Sequence, residues 1–182
     1  GYGDHVLAHG NVAVLQHDGA VNVKQFGAYS NETNATTTST AIQKAFLAVQ
    51  QTGGLLDFPL GRYLINSGIG TDTDAPSDFC DNVHLVSGDN GTIVVDASAS
   101  NFTAITLEGN NVSVTGLTIT STRIIDHTAD PTPQRTPSFK GIKIGGKLTG
   151  DRSIGDLTYL RTGASVTDCV ISNMNDPLVL GR

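Results

Sequence analysis

The feature that most constrains the fold is a pattern of alternating apolar residues that recurs after residue 82. The segment Val114–Ile119 matches Val166–Ile171 in hydrophobicity, and a second pattern recurs at Ile105–Leu107, Ile142–Ile144 and Leu178–Leu180. Alternation with a period of two predicts strands that bury one face, and regular copies of such strands predict a stacked solenoid. Stacking would create two interior rows, one of Ile105, Ile142 and Leu178 and the other of Leu107, Ile144 and Leu180.

The spacing between the copies also predicts two insertions. About 16 extra residues leave one coil near Arg123 to Thr136, and about 15 leave near Lys147 to Thr162. Insertions in repeat proteins fall on turns, so both are expected on the outside of the solenoid.

The stretch from Val21 to Asn66 predicts a short strand, one helix and a strand hairpin, in that order. The helix has an apolar stripe of Ile42, Ala45, Phe46 and Val49, which places these side chains on one buried face. Such a helix is marginal alone in water, so we expect it to cap the open end of the solenoid. Predicted boundaries are a strand at Val21–Phe26, a capping box at Thr40 and Gln43 with Ser39 or Thr38 as alternative caps, a helix stop at Gly53, and strands at Leu55–Phe58 and Arg62–Ile65.

Residues 1–20 are interpreted as a lead-in segment, with one alternating piece at 11–15 that predicts an edge strand. This segment carries His5, His9 and His17, but no regular element aims them together, so no metal site is predicted. The remaining residues, 21–182, are interpreted as the cap and first coils of one domain, which we expect to continue beyond the chain.

Charge and cysteine content narrow the function classes. The net charge of −6 and the scattered basic residues argue against nucleic-acid binding, and no apolar run is long enough to predict membrane insertion. The two cysteines, Cys80 and Cys169, lack ligand spacing and are predicted to be buried free thiols, with Cys169 stacked on Leu117. No cofactor is predicted.

Three motifs in order resemble the pectate-lyase-like right-handed parallel β-helix superfamily, and in particular bacteriophage tailspike and capsule-depolymerase proteins. They are N-V-K-x-F-G-A at Asn22 to Ala28, A-I-Q-x-A at Ala41 to Ala45, and a Gly-Gly to Phe-Pro-x-Gly-x-Tyr hairpin at Gly53 to Ile65. The resemblance implies an all-β, single-stranded right-handed parallel β-helix with an N-terminal capping helix. The motifs of pectin hydrolases in that superfamily are absent from this sequence.

The candidate functional residues follow from carbohydrate chemistry. Glycoside hydrolysis needs two carboxylates, and the candidates on turns or insertions are Asp96, Glu108, Asp126, Asp151, Asp156 and Asp168. The most site-like cluster is Asp126 with His127 beside Arg123, because it offers an acid, a titratable base and a cation. Arg123, Lys143 and Arg152 are the candidate glycan-binding cations. A solvated loop and, for Asp168, a plain turn residue are the structural alternatives.

The resemblance implies a tailspike fragment in the virion tail, a homotrimer that contacts other tail proteins and binds and degrades host surface polysaccharide. The alternatives are a secreted microbial polysaccharide lyase or hydrolase, and a non-catalytic glycan-binding module. Whether the chain is itself an enzyme stays open at this point, as does the identity of the glycan.

Overall fold

The computed structural model describes residues 5–6, 12–13, 20–71, 80–123, 138–144 and 162–180. These residues form an α-helix, a short 3-10 helix at Val23–Phe26 and fifteen strands. The bounds are β1 His5–Val6, β2 Val12–Ala13, β3 Ala20–Asn22, α1 Ala35–Gln50, β4 Gly54–Asp57, β5 Arg62–Ile65, β6 Ile69–Gly70, β7 Val83–Val86, β8 Thr92–Val95, β9 Phe102–Leu107, β10 Ser113–Thr115, β11 Thr118–Ser121, β12 Phe139–Ile144, β13 Ser165–Thr167, β14 Val170–Ile171 and β15 Asp176–Leu180.

Most of the strands belong to three parallel sheets. Sheet 1 has the order β13-β10-β7-β4-β3, sheet 2 the order β14-β11-β8-β5, and sheet 3 the order β15-β12-β9-β6. From β4 onward, successive strands enter sheets 1, 2 and 3 in rotation, and from β7 onward each strand lies beside the strand three places earlier. The described chain is therefore mostly β and built from parallel pairs, apart from the antiparallel pair of β1 and β2.

The strand register confirms the predicted interior rows. Ile142 pairs with both Ile105 and Leu178, and Ile144 pairs with Leu107 and Leu180. Ile105, Leu107 and Ile142 have no exposed surface, and Ile144 is nearly enclosed. Leu178 differs from the prediction of an interior residue because 42% of it is exposed. It lies on β15, and no described strand pairs with the far edge of that strand.

Residues with a left-handed backbone conformation occupy equivalent positions in the turns before the strands of sheet 1. Gly53, Asn82, Asn111 and Gly163 all have positive φ and immediately precede equivalent positions of the sheet 1 strands. Only glycine and, less readily, asparagine or aspartate adopt this conformation at low cost, so the turn fixes the residue type. The side-chain amide of Asn111 also donates a hydrogen bond of 2.9 Å to Oδ1 of Asn82.

Helix α1 buries the predicted stripe against the three sheets. Ile42, Ala45, Phe46 and Val49 have no exposed surface. The predicted start was wrong, because α1 begins at Ala35 after Asn34, which makes no side-chain cap bond. The groups assigned to capping lie inside the helix instead, where Oγ1 of Thr40 bonds the Thr36 carbonyl while Ser39 and Gln43 bond Asn66 and Gly70 of other segments. Gly53 has the predicted positive φ of 73°, although α1 ends three residues earlier.

A capping box does exist, but it belongs to the 3-10 helix. Oδ1 of Asn22 accepts a hydrogen bond from the Lys24 amide at 2.9 Å, and Oε1 of Gln25 accepts one from the Asn22 amide at 3.1 Å. The helix ends at Gly27, whose φ is 92°. This local bonding explains why the predicted strand at Val21–Phe26 stops at Asn22. The other predicted strands are confirmed, with Leu55–Phe58 shifted by one residue and the 11–15 strand reduced to β2.

Segments around α1 occupy the exposed strand edges at this end of the sheets. The chain at residues 30–32 bonds β5, because the Glu32 amide donates to the Arg62 carbonyl at 2.9 Å and the Arg62 amide donates to the Ser30 carbonyl at 3.0 Å. Gln43 plays the same part at β6, where its side-chain amide both donates to and accepts from the Gly70 backbone. The predicted capping role of α1 is thus supported by hydrogen bonding as well as by burial.

The two cysteines are free. Cys80 is buried as predicted, and burial raises the pKa of its thiol to about 11. Cys169 was also predicted to be buried but is only partly so, because it lies between β13 and β14, which like β15 are edge strands of their sheets. Within the part of the chain that the structure describes, no helix is long and apolar enough to cross a membrane.

Candidate functional site

Sheet 3 brings together two of the residues selected from the sequence. Glu108 directly follows β9, and Lys143 lies on β12, where it pairs in register with Thr106. Since alternate residues of a strand point to opposite faces, Thr106, Glu108 and Lys143 lie on the face opposite the apolar rows. Nζ of Lys143 is 2.6 Å from Oε1 of Glu108.

The carboxylate of this pair is almost completely removed from water. Glu108 is 3% exposed, whereas the Lys143 side chain retains 21% of its surface. The Glu108 backbone is also fixed, because its carbonyl accepts a hydrogen bond of 3.0 Å from the Cys80 amide and its amide donates to Oγ1 of Thr71 at 3.4 Å. A buried carboxylate needs a cationic partner such as Lys143, since an unpaired carboxylate would carry a large desolvation cost.

The ion pair determines what these two groups can do. A carboxylate that accepts a hydrogen bond from an ammonium group at this distance acts as an acceptor and not as a proton donor. The Lys143 charge is compensated by Glu108, so its remaining N–H groups are hydrogen-bond donors to a neutral partner. The pair therefore suits the recognition of hydroxyl groups better than acid catalysis.

A second group of charged residues lies where β4 leaves sheet 1. Asp57 ends β4, and burial raises the pKa of its carboxyl, with a further increase from the negative charge of Asp89 and an opposing effect from Lys24. The Asn22 side chain donates a hydrogen bond of 3.4 Å to Oδ2 of Asp57. A raised carboxyl pKa beside a second carboxylate is the arrangement that favours a protonated acid.

Asp57 and Asp89 were not selected from the sequence. Asp57 lies within the hairpin motif, where a structural role is the simplest interpretation, and Asp89 lies in a polar turn. No periodicity or motif connects them, because their proximity depends on the stacking of β4 beside β7. The alignment of Asp57 with Val86, three residues before Asp89, is the register signal that could have found them.

A row of one leucine and three polar residues follows the outward face of sheet 1. Leu55, His84, Ser113 and Ser165 occupy equivalent positions on four neighbouring strands. Nδ1 of His84 lies 2.9 Å from Oγ of Ser113. The next outward row contains Asp57, Val86, Thr115 and Thr167.

The remaining candidates divide into local structural residues and residues outside the described part. Asp168 is exposed and has a φ of 53°, which agrees with its interpretation as a turn residue. Oδ1 of Asp96 accepts hydrogen bonds from the amide and hydroxyl of Ser98 and so closes its own turn. Arg123 follows β11 and is half-buried, and its amide donates to Oγ of Ser121 at 3.1 Å. The candidates that lie outside the described residues are Asp126, His127, Asp151, Arg152 and Asp156.

The two predicted insertions fall between β11 and β12 and between β12 and β13, as the strand register requires. Their residues 124–137 and 145–161 lie outside the described part, so the Asp126, His127 and Arg123 cluster stays a prediction. Among the residues that are described, no three His, Cys, Asp or Glu side chains are grouped closely enough to hold a metal ion. Comparisons with protein-family models, curated proteins and solved structures find no significant match.

Proposed function

We propose that this chain is the N-terminal cap and first coils of a right-handed parallel β-helix, and that it serves a bacteriophage tailspike that binds and degrades host surface polysaccharide. The assignment to the pectate-lyase-like superfamily is part of this proposal. It rests on the order of the three motifs in the cap and on the architecture that follows them. The other virion tail proteins, and a homotrimeric assembly, are the expected partners.

The observation that carries the proposal is the rotation of strands through three parallel sheets. Because equivalent residues are stacked, His84, Ser113 and Ser165 form one row of polar side chains on the outward face of sheet 1. Adjacent strands are about 4.8 Å apart, so the row from His84 to Ser165 extends over about 10 Å. A row of hydroxyl and imidazole groups at regular spacing is suited to a polymer whose hydroxyl groups also repeat.

Asp57 is the group that we assign to proton donation if the polymer is cleaved. Burial and the negative charge of Asp89 raise the pKa of the Asp57 carboxyl, and Asp89 is the second carboxylate of this proposal.

The first experiment incubates the chain with a panel of bacterial capsular and O-antigen polysaccharides. We expect binding to at least one polymer, measured by interferometry, together with new reducing or unsaturated ends. The Asp57→Asn variant should keep its binding and lose product formation by a factor of about 100 or more. Binding without products from the unaltered chain would reject degradation, and the absence of binding to any polymer would count against the whole proposal.

A non-catalytic glycan-binding module is the second candidate, and the Glu108–Lys143 pair favours it. This pair offers hydrogen bonding without a free acid, and it is built into the sheet by two backbone bonds of Glu108. Its distinguishing result is retained affinity in the Asp57→Asn variant with no products from either protein. The secreted-enzyme alternative predicts products from a monomer, so light scattering that shows a trimer would argue against it.

A further inference from the structure

A cavity of about 410 Å³ lies at the cap, between the loop after the 3-10 helix and the first half of α1. Its volume is within the range of small-molecule sites in proteins. None of the proposed polysaccharide contacts on sheets 1 and 3 lines it. The cavity is therefore separate from the surfaces that are proposed above to bind polysaccharide.

One wall of the cavity is aromatic. Phe26 and Tyr29 both line it, and Tyr29 keeps 44% of its surface exposed. The phenol of Tyr29 makes no hydrogen bond with the described residues. An exposed ring of this kind presents an apolar face and a polar edge to a ligand.

The opposite wall carries threonine hydroxyls from α1. Thr37 and Thr40 are exposed and line the cavity. Oγ1 of Thr40 donates its proton to the Thr36 carbonyl at 2.9 Å, so its lone pairs are available to a donor. The wall can thus accept hydrogen bonds from ligand hydroxyl groups.

The charge in the cavity comes from Lys44. This side chain is exposed and forms no ion pair among the described residues, and no carboxylate lines the cavity. Helix α1 contains no Asp or Glu, although the whole chain has a net charge of −6. An ammonium group that is kept apart from carboxylates in an acidic protein is complementary to a ligand anion.

We propose that this cavity binds one hexuronic acid unit. Its C–H ring face stacks on the aromatic wall formed by Phe26 and Tyr29, its hydroxyl groups meet the threonine wall, and its carboxylate meets the Lys44 ammonium. Each wall supplies the one kind of contact that the corresponding part of an acidic sugar requires.

The test is an amide chemical-shift titration of the full chain with sodium glucuronate at fixed ionic strength. We expect saturable shifts confined to the amides around Tyr29, Thr37 and Lys44. Lys44→Met should weaken this binding about threefold, and Tyr29→Ala should weaken it about threefold or more. Lys140→Met is the matched control, because Lys140 is an exposed lysine on β12 and should leave the affinity unchanged.

Glucose and acetate separate the contributions of ring and charge. We expect glucose to bind more weakly than glucuronate and acetate to produce no shifts at the cavity. Equal binding of glucose would overturn the role of Lys44, and equal shifts with acetate would reduce the site to a nonspecific anion contact. Absence of glucuronate shifts at the cavity would overturn the proposal, without bearing on polysaccharide binding by the coils.

Discussion

Glu108 shows how a single residue can depend on one partner. Its carboxylate has lost its water, and Lys143 is the only cation paired with it among the described residues. Truncating one member of such a pair leaves an uncompensated charge, which is more costly than the net gain from forming the pair. Replacing Lys143 alone should therefore destabilise the protein more than replacing Lys143 and Glu108 together.

Lys143→Met is expected to destabilise the protein by about 3 kcal/mol, because Glu108 would remain buried without a counter-charge. Adding Glu108→Gln to this variant should recover most of the loss. Urea unfolding at pH 7 measures both changes, with Lys140→Met on the same strand as the control, which should stay within about 0.5 kcal/mol of the parent. A Lys143→Met protein as stable as this control would contradict the buried ion pair.

The negative charge of Asp57 is expected to lower the stability of the folded protein, in contrast to the paired charge of Glu108. Burial and Asp89 raise the pKa of Asp57 in the folded protein, so in the pH window just above the ordinary Asp value the folded state holds a proton that the unfolded chain has released. Stability contributed by this group is therefore lost as the pH rises through that window. Asp57→Asn should raise the melting temperature at pH 7, and the gain should disappear near pH 3.

The carboxyl carbon shift of Asp57, followed by NMR across the titration, reports the same effect directly. Asp89→Asn should lower the Asp57 pKa, since it removes the second cause of the increase. An unchanged titration of Asp57 in this variant would show that the two carboxylates do not interact.

At the scale of elements, α1 works through its polar side chains as well as its apolar stripe. The Gln43 amide accepts from the Gly70 backbone at 2.9 Å and donates back to it at 3.1 Å, as a neighbouring strand would. Oγ of Ser39 similarly accepts a bond of 2.9 Å from the Asn66 amide at the end of β5. These bonds complete strand edges that would otherwise lack partners.

Gln43→Leu is expected to cost about 2 kcal/mol, because it leaves a partly buried N–H and C=O of Gly70 unpaired. Hydrogen exchange at the Gly70 amide should accelerate in this variant while the amides of β8 keep their protection. Gln43→Glu is the matched comparison, since it retains the acceptor and should preserve more of the Gly70 protection. Unchanged exchange at Gly70 in both variants would contradict the strand-like role of Gln43.

The parts of the fold that could be predicted were those with a local period. Ile142 and Ile144 alternate on one strand, and Phe46 belongs to a helical stripe, so each revealed its burial through spacing alone. The start of α1 could not be predicted, because Ser39 and Gln43 resemble capping residues locally but find their partners at Asn66 and Gly70. The pairing of Glu108 with Lys143 likewise depends on strand register, so the residues were recognised individually and their contact was not.

At the scale of the whole molecule, the strands of sheet 1 near α1 recur at a fixed spacing in the sequence. Leu55, His84 and Ser113 are equivalent residues, and the separation from His84 to Ser113 is 29 residues. The turn residues Asn82 and Asn111 are separated by the same 29 residues. The chain in this region thus returns to an equivalent position of sheet 1 after 29 residues, with a left-handed asparagine before the strand each time.

Deletion of residues 83–111 should therefore leave a shorter protein that still folds cooperatively. It joins Asn82 to Val112 and allows β4, β5 and β6 to pair with β10, β11 and β12. Deletion of 83–112 is the control, because the extra residue would turn the buried side chains of β10 outward. Circular dichroism and urea unfolding should show a cooperative transition only for the first deletion, and equal behaviour of the two would contradict the fixed register.

The covered edges at β5 and β6 have a further consequence for the behaviour of many copies in solution. A parallel sheet with an open edge is a template on which another chain can add a strand, and repeated addition gives fibres. Residues 30–32 and the side chain of Gln43 already occupy the bonds that such an addition would use. Strand addition to sheets 2 and 3 is therefore blocked at the end where α1 lies.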